Sequence, residues 1–145
     1  MASESVHRNV TVERDAPGRF TIINSRGGRL TIGTGGDVDF SPTELLLAAI
    51  GGCTAIDVDV LTSRRSEPDA FEVRVDANKV RDADGNRLTD IEVTFRVAFP
   101  ATAQGDEARE LLPIVVKKSH DRLCTVSRTI EIGTPIANRI ELAAG

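Results

Sequence analysis

Alternation of apolar and polar residues dominates the first part of the chain and predicts strands. Val6, Val10 and Val12 share one face of the first alternating run. Successive side chains of a strand point to opposite faces, so this period of two is typical of a half-buried strand. The predicted strands cover residues 5–13, 19–24 and 29–32. Turn-forming residues separate the three runs, and the segment is predicted to form a β-meander.

The next segment has a helical pattern with a strong start signal. Ser41 suits the N-cap position, and Glu44 follows three residues later, as in a capping box. Residues 45–50 are apolar on every side of the predicted helix, which predicts burial on every side. Gly51-Gly52 weakens the helix but lets another backbone or a ligand approach closely. The helix is predicted to end near residue 63.

The second half of the chain predicts a hairpin, a second helix and a closing strand. The predicted elements are strands over 71–80 and 91–99 with a turn at 82–86, a helix over 106–123 that Pro113 kinks or restarts, a short helical turn over 124–128, and a strand within 129–142. The order βββ-α-ββ-α-β lacks strict alternation of strand and helix, so it indicates the α+β class. A length of 145 residues fits one domain over residues 1–145.

Composition and charge exclude several classes of protein. The net charge is −4 and aromatic residues make up 3%, which argues against a nucleic-acid surface. Residues 1–8 carry no apolar segment typical of a secretory signal, and no uninterrupted apolar run approaches the roughly 20 residues of a membrane helix. We therefore expect a cytoplasmic protein without a membrane or nucleic-acid partner. Two cysteines in such a protein are poor support for a structural disulfide.

The two cysteines are the main candidates for chemistry. Cys53 is either a small buried apolar residue or a nucleophilic thiolate, and the second role requires a lowered pKa, which a nearby cation or a helix N-terminus provides. Cys124 stands at a predicted helix start, where free N–H groups favour a thiolate. The sequence leaves open whether the two thiols meet. If they do, oxidation of one to a sulfenic acid and condensation with the other gives a disulfide.

Glu44 is either a capping residue or a carboxylate that orients an arginine over the thiol. Nine residues separate it from Cys53, which places the two on opposite faces of an unbroken helix, about 13.5 Å apart along the axis. If both serve one site, Glu44 comes from a partner chain or Gly51-Gly52 breaks the helix. This geometry is an argument for a dimer.

The remaining candidates are cations and one histidine. Arg19, Arg26 and Arg29 lie in the predicted meander, and each is either a solvated strand charge or the cation beside the thiol. Arg128, four residues after Cys124, is a further candidate. His120 could complete a zinc site with the two cysteines, but a surface histidine is the simpler interpretation, and we expect no metal.

Two motifs together resemble one known family. The run from Ser41 to Val58, which contains Gly-Gly-Cys-Thr-Ala-Ile-Asp-Val, resembles the central helix of the OsmC/Ohr family and looks closest to its YhfA-like branch. Ser119 to Ser127 resembles the second cysteine motif of the family, and Leu88 to Val93 matches its strand between the helices. The resemblance extends from about residue 6 to residue 142.

The resemblance implies a fold, an activity and a set of roles. The fold is an intertwined homodimer in which long central helices pack on curved antiparallel sheets. The activity is a thiol-dependent peroxidase that reduces organic hydroperoxides, with an external dithiol and no cofactor. Cys53 would be the peroxidatic and Cys124 the resolving cysteine. Glu44 would orient a catalytic arginine from the other chain, with Arg29 as first choice and Arg19 as second. The alternative is a non-catalytic redox-sensing or small-molecule-binding member of the family.

Overall fold

The computed structural model describes residues 3–144, and its first compact unit, which ends at Leu47, contains the predicted meander. The strands pair antiparallel in the order β1-β2-β3 and cover Val10–Ala16, Arg19–Asn24 and Arg29–Ile32. β1 starts later than predicted because its pairing ends at Val10 opposite Asn24, the last residue of β2. Within the described part of the chain, residues 3–9 therefore have no strand of this sheet beside them.

Helix α1 covers Pro42–Ser63 and starts with the predicted capping box. The backbone N–H of Glu44 donates to Ser41 Oγ at 3.2 Å, and the N–H of Ser41 donates to Glu44 Oε1 at 3.1 Å. The two residues thus satisfy each other's free polar groups at the helix start. The helix continues through Gly51-Gly52 without a break.

The prediction that α1 is buried on every side is wrong for the single chain. Its buried side chains, Ile50, Thr54, Val58 and Thr62, recur every four residues and form one stripe. Ile56 is 68% exposed because it points away from that stripe, and only the stripe is covered by the rest of the chain. By length and composition alone α1 could also cross a membrane, a property that the core helices of soluble proteins share.

The second compact unit, which starts at Ala48, contains a long hairpin. β4 covers Ala70–Asp82 and β5 covers Gly85–Ala98, and the two strands pair antiparallel. Gly51 of α1 is buried against this hairpin, since a Cβ built on it would lie 2.7 Å from Val75 Cγ2 of β4. The close approach that the glycine pair predicted is therefore made by Gly51 to a side chain of β4.

Two helices and an irregular turn complete the second unit. α2 covers Ala103–Lys118, a π-helical turn covers Ser119–Leu123, and α3 covers Thr125–Glu131. Pro113 lies inside α2 and does not start a new segment. The fold is α+β, as predicted from the order of elements.

The predicted closing strand is wrong. Residues 129–131 belong to α3, which ends where Gly133 adopts a left-handed backbone with φ of 67°. Residues 134–144 form no strand, and no described strand pairs with them. Alternation alone predicted a strand, but a strand also needs a neighbouring edge to pair with.

Candidate active site

The two cysteines meet in the second unit although 71 residues separate them. Cys53 lies in α1 and is half-buried, whereas Cys124 is fully buried and is the N-cap residue of α3. Their thiols lie close enough for Cys124 to raise the pKa of Cys53. Both are free thiols. The arrangement places a more accessible sulfur near a buried one, and a disulfide would require the two sulfurs to come within about 2 Å of each other.

The first turn of α3 contacts both sulfurs. Cys124 Sγ accepts from the backbone N–H of Ser127 at 3.4 Å and donates to Ser127 Oγ at 3.2 Å. The backbone N–H of Val126 hydrogen-bonds to the thiol of Cys53. A shift of α3 would therefore change the surroundings of both cysteines.

A buried hydroxyl joins α1 to the segment that carries Cys124. Ser119 Oγ donates to Asp57 Oδ2 at 2.8 Å and lies 2.8 Å from Thr54 Oγ1. Since Ser119 has one hydroxyl proton and gives it to Asp57, Thr54 must donate to Ser119. The backbone carbonyl of Ser119 also accepts from the N–H of Cys124 at 2.7 Å. Ser119 thus connects the helix of Cys53 to Cys124.

The electrostatic surroundings of Cys53 favour the neutral thiol. Burial raises its pKa most, and the thiol of Cys124 and the carboxylate of Asp57 raise it further. The hydrogen bond from the N–H of Val126 acts in the opposite direction but is the smaller effect. No cation contributes to this balance among the residues that the structure describes. The lowered pKa expected of a nucleophilic thiolate is therefore absent from the single chain.

The other predicted site residues lie in the first unit. Glu44 is exposed and hydrogen-bonds to Ser41, which lowers the pKa of its carboxyl group. Arg29 begins β3 and is exposed, and Arg26 is exposed in the turn before it. Arg19 forms ion pairs with carboxylates of its own unit, with Asp39 at 2.9 Å and Asp37 at 3.6 Å. The roles expected of Glu44 and of the three arginines beside the thiol stay predictions.

A mostly apolar cavity of about 570 Å³ lies in the second unit. Side chains from α1, β5, α2 and α3 line it, including Ile50, Phe95 and Val116. Neither cysteine lines it, but its walls include Thr54, which follows Cys53 in the chain, and Ser127, which hydrogen-bonds to Cys124. The cavity is large enough for a small organic molecule.

Sequence reasoning missed the polar residues that support the two thiols. Asp57 lies four residues after Cys53, a spacing that places both on one helix face. Ser127 lies three residues after the N-cap, where a backbone N–H can bond to the capping side chain. Both spacings could have been used to predict, from the sequence alone, that Asp57 and Ser127 lie near the cysteines. Ser119 and Thr54 become partners only through tertiary packing, so no local pattern indicates them.

Comparisons with known proteins place this arrangement in a family. A family model described as OsmC-like protein matches residues 33–138, which include both cysteines. The protein belongs to the OsmC-like family. The uncharacterized protein Rv2923c of Mycobacterium tuberculosis is 32% identical over 127 residues, covering 86% of this chain and 90% of its own length. The assignment to the YhfA-like branch stays a prediction.

Solved structures confirm the fold. An OsmC-like protein of unknown function from Vibrio cholerae superposes with a TM-score of 0.70 at 13% identity, covering 88% of this chain and 95% of its own. The organic hydroperoxide resistance protein OhrB of Bacillus subtilis superposes with a TM-score of 0.52 at 19% identity, covering 86% and 90%. The OsmC-like chain described above thus has the α+β fold of these proteins.

Proposed function

We propose that this OsmC-like protein is a thiol-dependent peroxidase that reduces organic hydroperoxides to alcohols. The observation that carries the proposal is the proximity of Cys53 and Cys124, a half-buried thiol near a fully buried one. Membership of the OsmC-like family and the fold shared with an organic hydroperoxide resistance protein support it.

The proposed chemistry uses only the two sulfurs and an external dithiol. The Cys53 thiolate attacks the distal oxygen of ROOH, the O–O bond breaks, and the alkoxide takes up a proton and leaves as ROH. Cys53 is then a sulfenic acid. The Cys124 thiol attacks its sulfur, which forms the disulfide and releases water. A dithiol reduces this disulfide and is itself oxidised, so no metal, flavin or nicotinamide enters the cycle.

The raised pKa of Cys53 means that the thiolate needs a cation from elsewhere. We propose that a second copy of the chain supplies Arg29, held by Glu44 of the same copy, with Arg19 as the second choice. Because α1 is unbroken, Glu44 and Cys53 of one chain face opposite sides of the helix. An arginine at the sulfur would lower its pKa and stabilise the developing alkoxide.

Exposed apolar side chains support a homodimer. Ile56 and Val60 of α1 are 68% and 50% exposed in the single chain. Ile136, Ile140 and Leu142 of the C-terminal segment are each more than 80% exposed. Apolar patches of this kind on a soluble protein mark surfaces that another chain covers. The cytoplasm, where thiols stay reduced, is the proposed location.

The apolar cavity supports an organic rather than an inorganic peroxide as substrate. Its lining residues Ile50, Phe95 and Val116 offer apolar surface for an alkyl or aryl group. Hydrogen peroxide has no such group and gains nothing from that surface. We therefore expect a higher kcat/KM for cumene hydroperoxide than for hydrogen peroxide.

The first experiment follows consumption of cumene hydroperoxide with dithiothreitol as the reductant. The wild-type protein should turn over, and Cys53→Ser should be inactive. In a parallel assay without dithiothreitol, the prereduced Cys124→Ser protein should consume one equivalent of peroxide and accumulate a sulfenic acid that dimedone traps. A wild-type rate equal to that of Cys53→Ser would overturn the proposal.

The second experiment tests the shared site by complementation. Cys53→Ser and Arg29→Ala chains are each expected to be inactive alone. Mixed dimers combine Cys53 of one chain with Arg29 of the other. Random mixing makes half of the dimers mixed with one intact site each, so about a quarter of the wild-type activity should return. Arg26→Ala is the control and should stay active. Recovery of no activity on mixing would contradict a site built from two chains.

The second candidate function is a non-catalytic redox sensor or small-molecule-binding protein. The raised pKa of Cys53 favours it, because a protonated thiol reacts slowly with peroxides. Slow oxidation to the disulfide without turnover in the first experiment would support this candidate over the peroxidase.

A further inference from the structure

His120 connects the segment before Cys124 to the end of the helix after it. Its Nε2 lies 2.6 Å from Glu131 Oε1 in the last turn of α3, and its Nδ1 lies 2.9 Å from Asp121 Oδ1. Both ring nitrogens therefore face carboxylate oxygens. Only the protonated imidazolium can donate to both at once, since a neutral ring has a single N–H.

The contact between His120 and Glu131 links two residues that lie on either side of Cys124 in the chain. His120 and Glu131 lie four residues before and seven residues after the cysteine, and their side chains meet across α3. The enclosed segment includes Val126 and Ser127, whose backbone N–H groups contact the two sulfurs. A bridge between the ends of the segment therefore restricts the movement of both contacts.

The charges near His120 come from four elements: its own π-helical turn, α2, α3 and β5. On its own turn, Asp121 accepts from Nδ1 and is itself paired with Lys117 of α2. On α3, Glu131 accepts from Nε2, and Arg128 lines the same shallow depression. On β5, Asp90 and Glu92 line the neighbouring cavity together with His120. Two carboxylates thus contact the ring, and two more share its cavity.

The balance of these charges favours the imidazolium. The hydrogen bonds to Asp121 and Glu131 raise the pKa of His120, and its slight burial opposes this only weakly. The ring therefore stays protonated to a higher pH than a free histidine, whose pKa is about 6.5. Loss of the proton removes one of the two donated bonds and the charge attraction to both carboxylates.

We propose that His120 is a positioning residue for the cysteine pair, whose bridge to Glu131 holds Cys124 beside Cys53 when the ring is protonated and releases it when the ring is neutral. The inference rests on the proposed role of these cysteines as a redox pair. Holding two reacting groups together raises their effective concentration, so the closed bridge favours the disulfide.

The test measures, in the full-length protein, the equilibrium constant for formation of the protein disulfide against dithiothreitol at several pH values from about 6 to about 9, because the two carboxylates raise the pKa of His120 above the ordinary histidine value. His120→Lys keeps a cation that does not titrate there, and His120→Gln has none at any of these pH values. For each protein the constant describes formation of the disulfide. The wild-type constant divided by the His120→Lys constant should fall by up to about fivefold at the highest pH, which is the upper range for an exposed ion pair. His120→Gln should resemble the high-pH wild type throughout.

Two matched variants serve as controls. His7→Gln removes the other histidine of the chain, and Lys117→Ala removes a cation of the cluster without breaking the contact to Glu131. Both should retain the wild-type pH dependence, whereas Glu131→Gln should reduce it. A ratio that does not change with pH, or a His120→Gln protein that matches the low-pH wild type, would overturn the inference.

The outcome is separate from that of the proposed function. No peroxide is present in this equilibrium, so absence of turnover with cumene hydroperoxide would remove the peroxidase and leave the positioning role standing. Conversely, an active peroxidase with a pH-independent ratio would retain the function and remove the role of His120.

Discussion

Replacement of Ser119 by alanine should destabilise the protein through the loss of two buried hydrogen bonds. The serine side chain is fully buried and lies 2.8 Å from both Asp57 Oδ2 and Thr54 Oγ1. Alanine fills most of the same volume but cannot donate to the carboxylate. The variant therefore removes polar contacts and leaves the surrounding packing nearly unchanged.

The size of the expected loss in the free energy of unfolding depends on whether Asp57 and Thr54 find other hydrogen-bond partners in the variant. A hydrogen bond to a charged group contributes about 1.5–3 kcal/mol. Thr54 can redirect its hydroxyl to the backbone carbonyl four residues before it, as Thr62 does to Val58 at 2.8 Å, so its loss adds little. Asp57 is only half-buried, and water can replace part of its lost bond. We expect Ser119→Ala to lower the free energy of unfolding by about 1.5–3 kcal/mol.

Urea unfolding of the reduced protein at one fixed concentration measures this change. Concentration must be constant because dimerisation, if present, contributes to the apparent stability. The midpoint should fall while the m-value stays constant, since the surface exposed on unfolding is the same. Asp57→Asn keeps a side-chain oxygen for Ser119 and should cost less.

Ser66→Ala is the matched control, because that hydroxyl donates to the carbonyl of its neighbour Glu67 in an exposed turn. It should change stability by less than about 0.5 kcal/mol. A double-mutant cycle between Ser119→Ala and Asp57→Ala, each of which removes the bond, isolates their coupling. If Ser119→Ala costs no more than Ser66→Ala, or if the coupling is zero, the network does not hold the two segments together and the reasoning fails.

Further predictions concern the start and the middle of α1. Gly51→Ala would place a methyl group 2.7 Å from Val75 Cγ2 and should cost about 1–3 kcal/mol in urea unfolding, whereas Gly52→Ala meets no atom within 4 Å in the single chain and should not destabilise. Equal effects of the two changes would contradict the packing at Gly51. Ser41→Ala should raise the pKa of Glu44 toward its ordinary value, which an NMR titration of the carboxyl carbon measures. Because the folded pKa of Glu44 is lowered, its contribution to stability is present above the unfolded value of 4.5 and is lost as the pH falls through the folded pKa. The change in Ser41→Ala should be partial, since the backbone N–H of residue 41 still donates to Glu44. A Ser41→Ala protein with the wild-type acid dependence would show that the serine hydroxyl contributes nothing.

Local patterns predicted most of the elements. The bounds of β2 and β3 were predicted correctly, and so was the capping box of Ser41 and Glu44, because each depends on residues a few positions apart. The prediction of a closing strand was wrong because a strand depends on a distant pairing partner, which a short-range pattern does not specify. Alternating residues such as Ile136 and Ile140 form a strand only beside a free edge, and sequence proximity does not supply one.

The candidate site divides in the same way. Cys53 and Cys124 were predicted as the candidates for chemistry from their types and their positions at helices. Whether they lie close together stayed open, because 71 residues of chain separate them and loop closure over such a distance has no local signature. Ser119 and the bridge of His120 to Glu131 were not foreseen as supports for the cysteines.

By itself the sequence determined the α+β class, the start of the long helix and the identity of the two thiols, since these depend on short-range periodicity, capping and residue chemistry. Only the tertiary structure decided that the two thiols lie close together and that the surroundings of Cys53 favour its protonated form. The physical reason is that hydrogen bonding and burial act over a few ångströms in space. Which groups come within that range depends on how α1, the π-helical turn and α3 pack together.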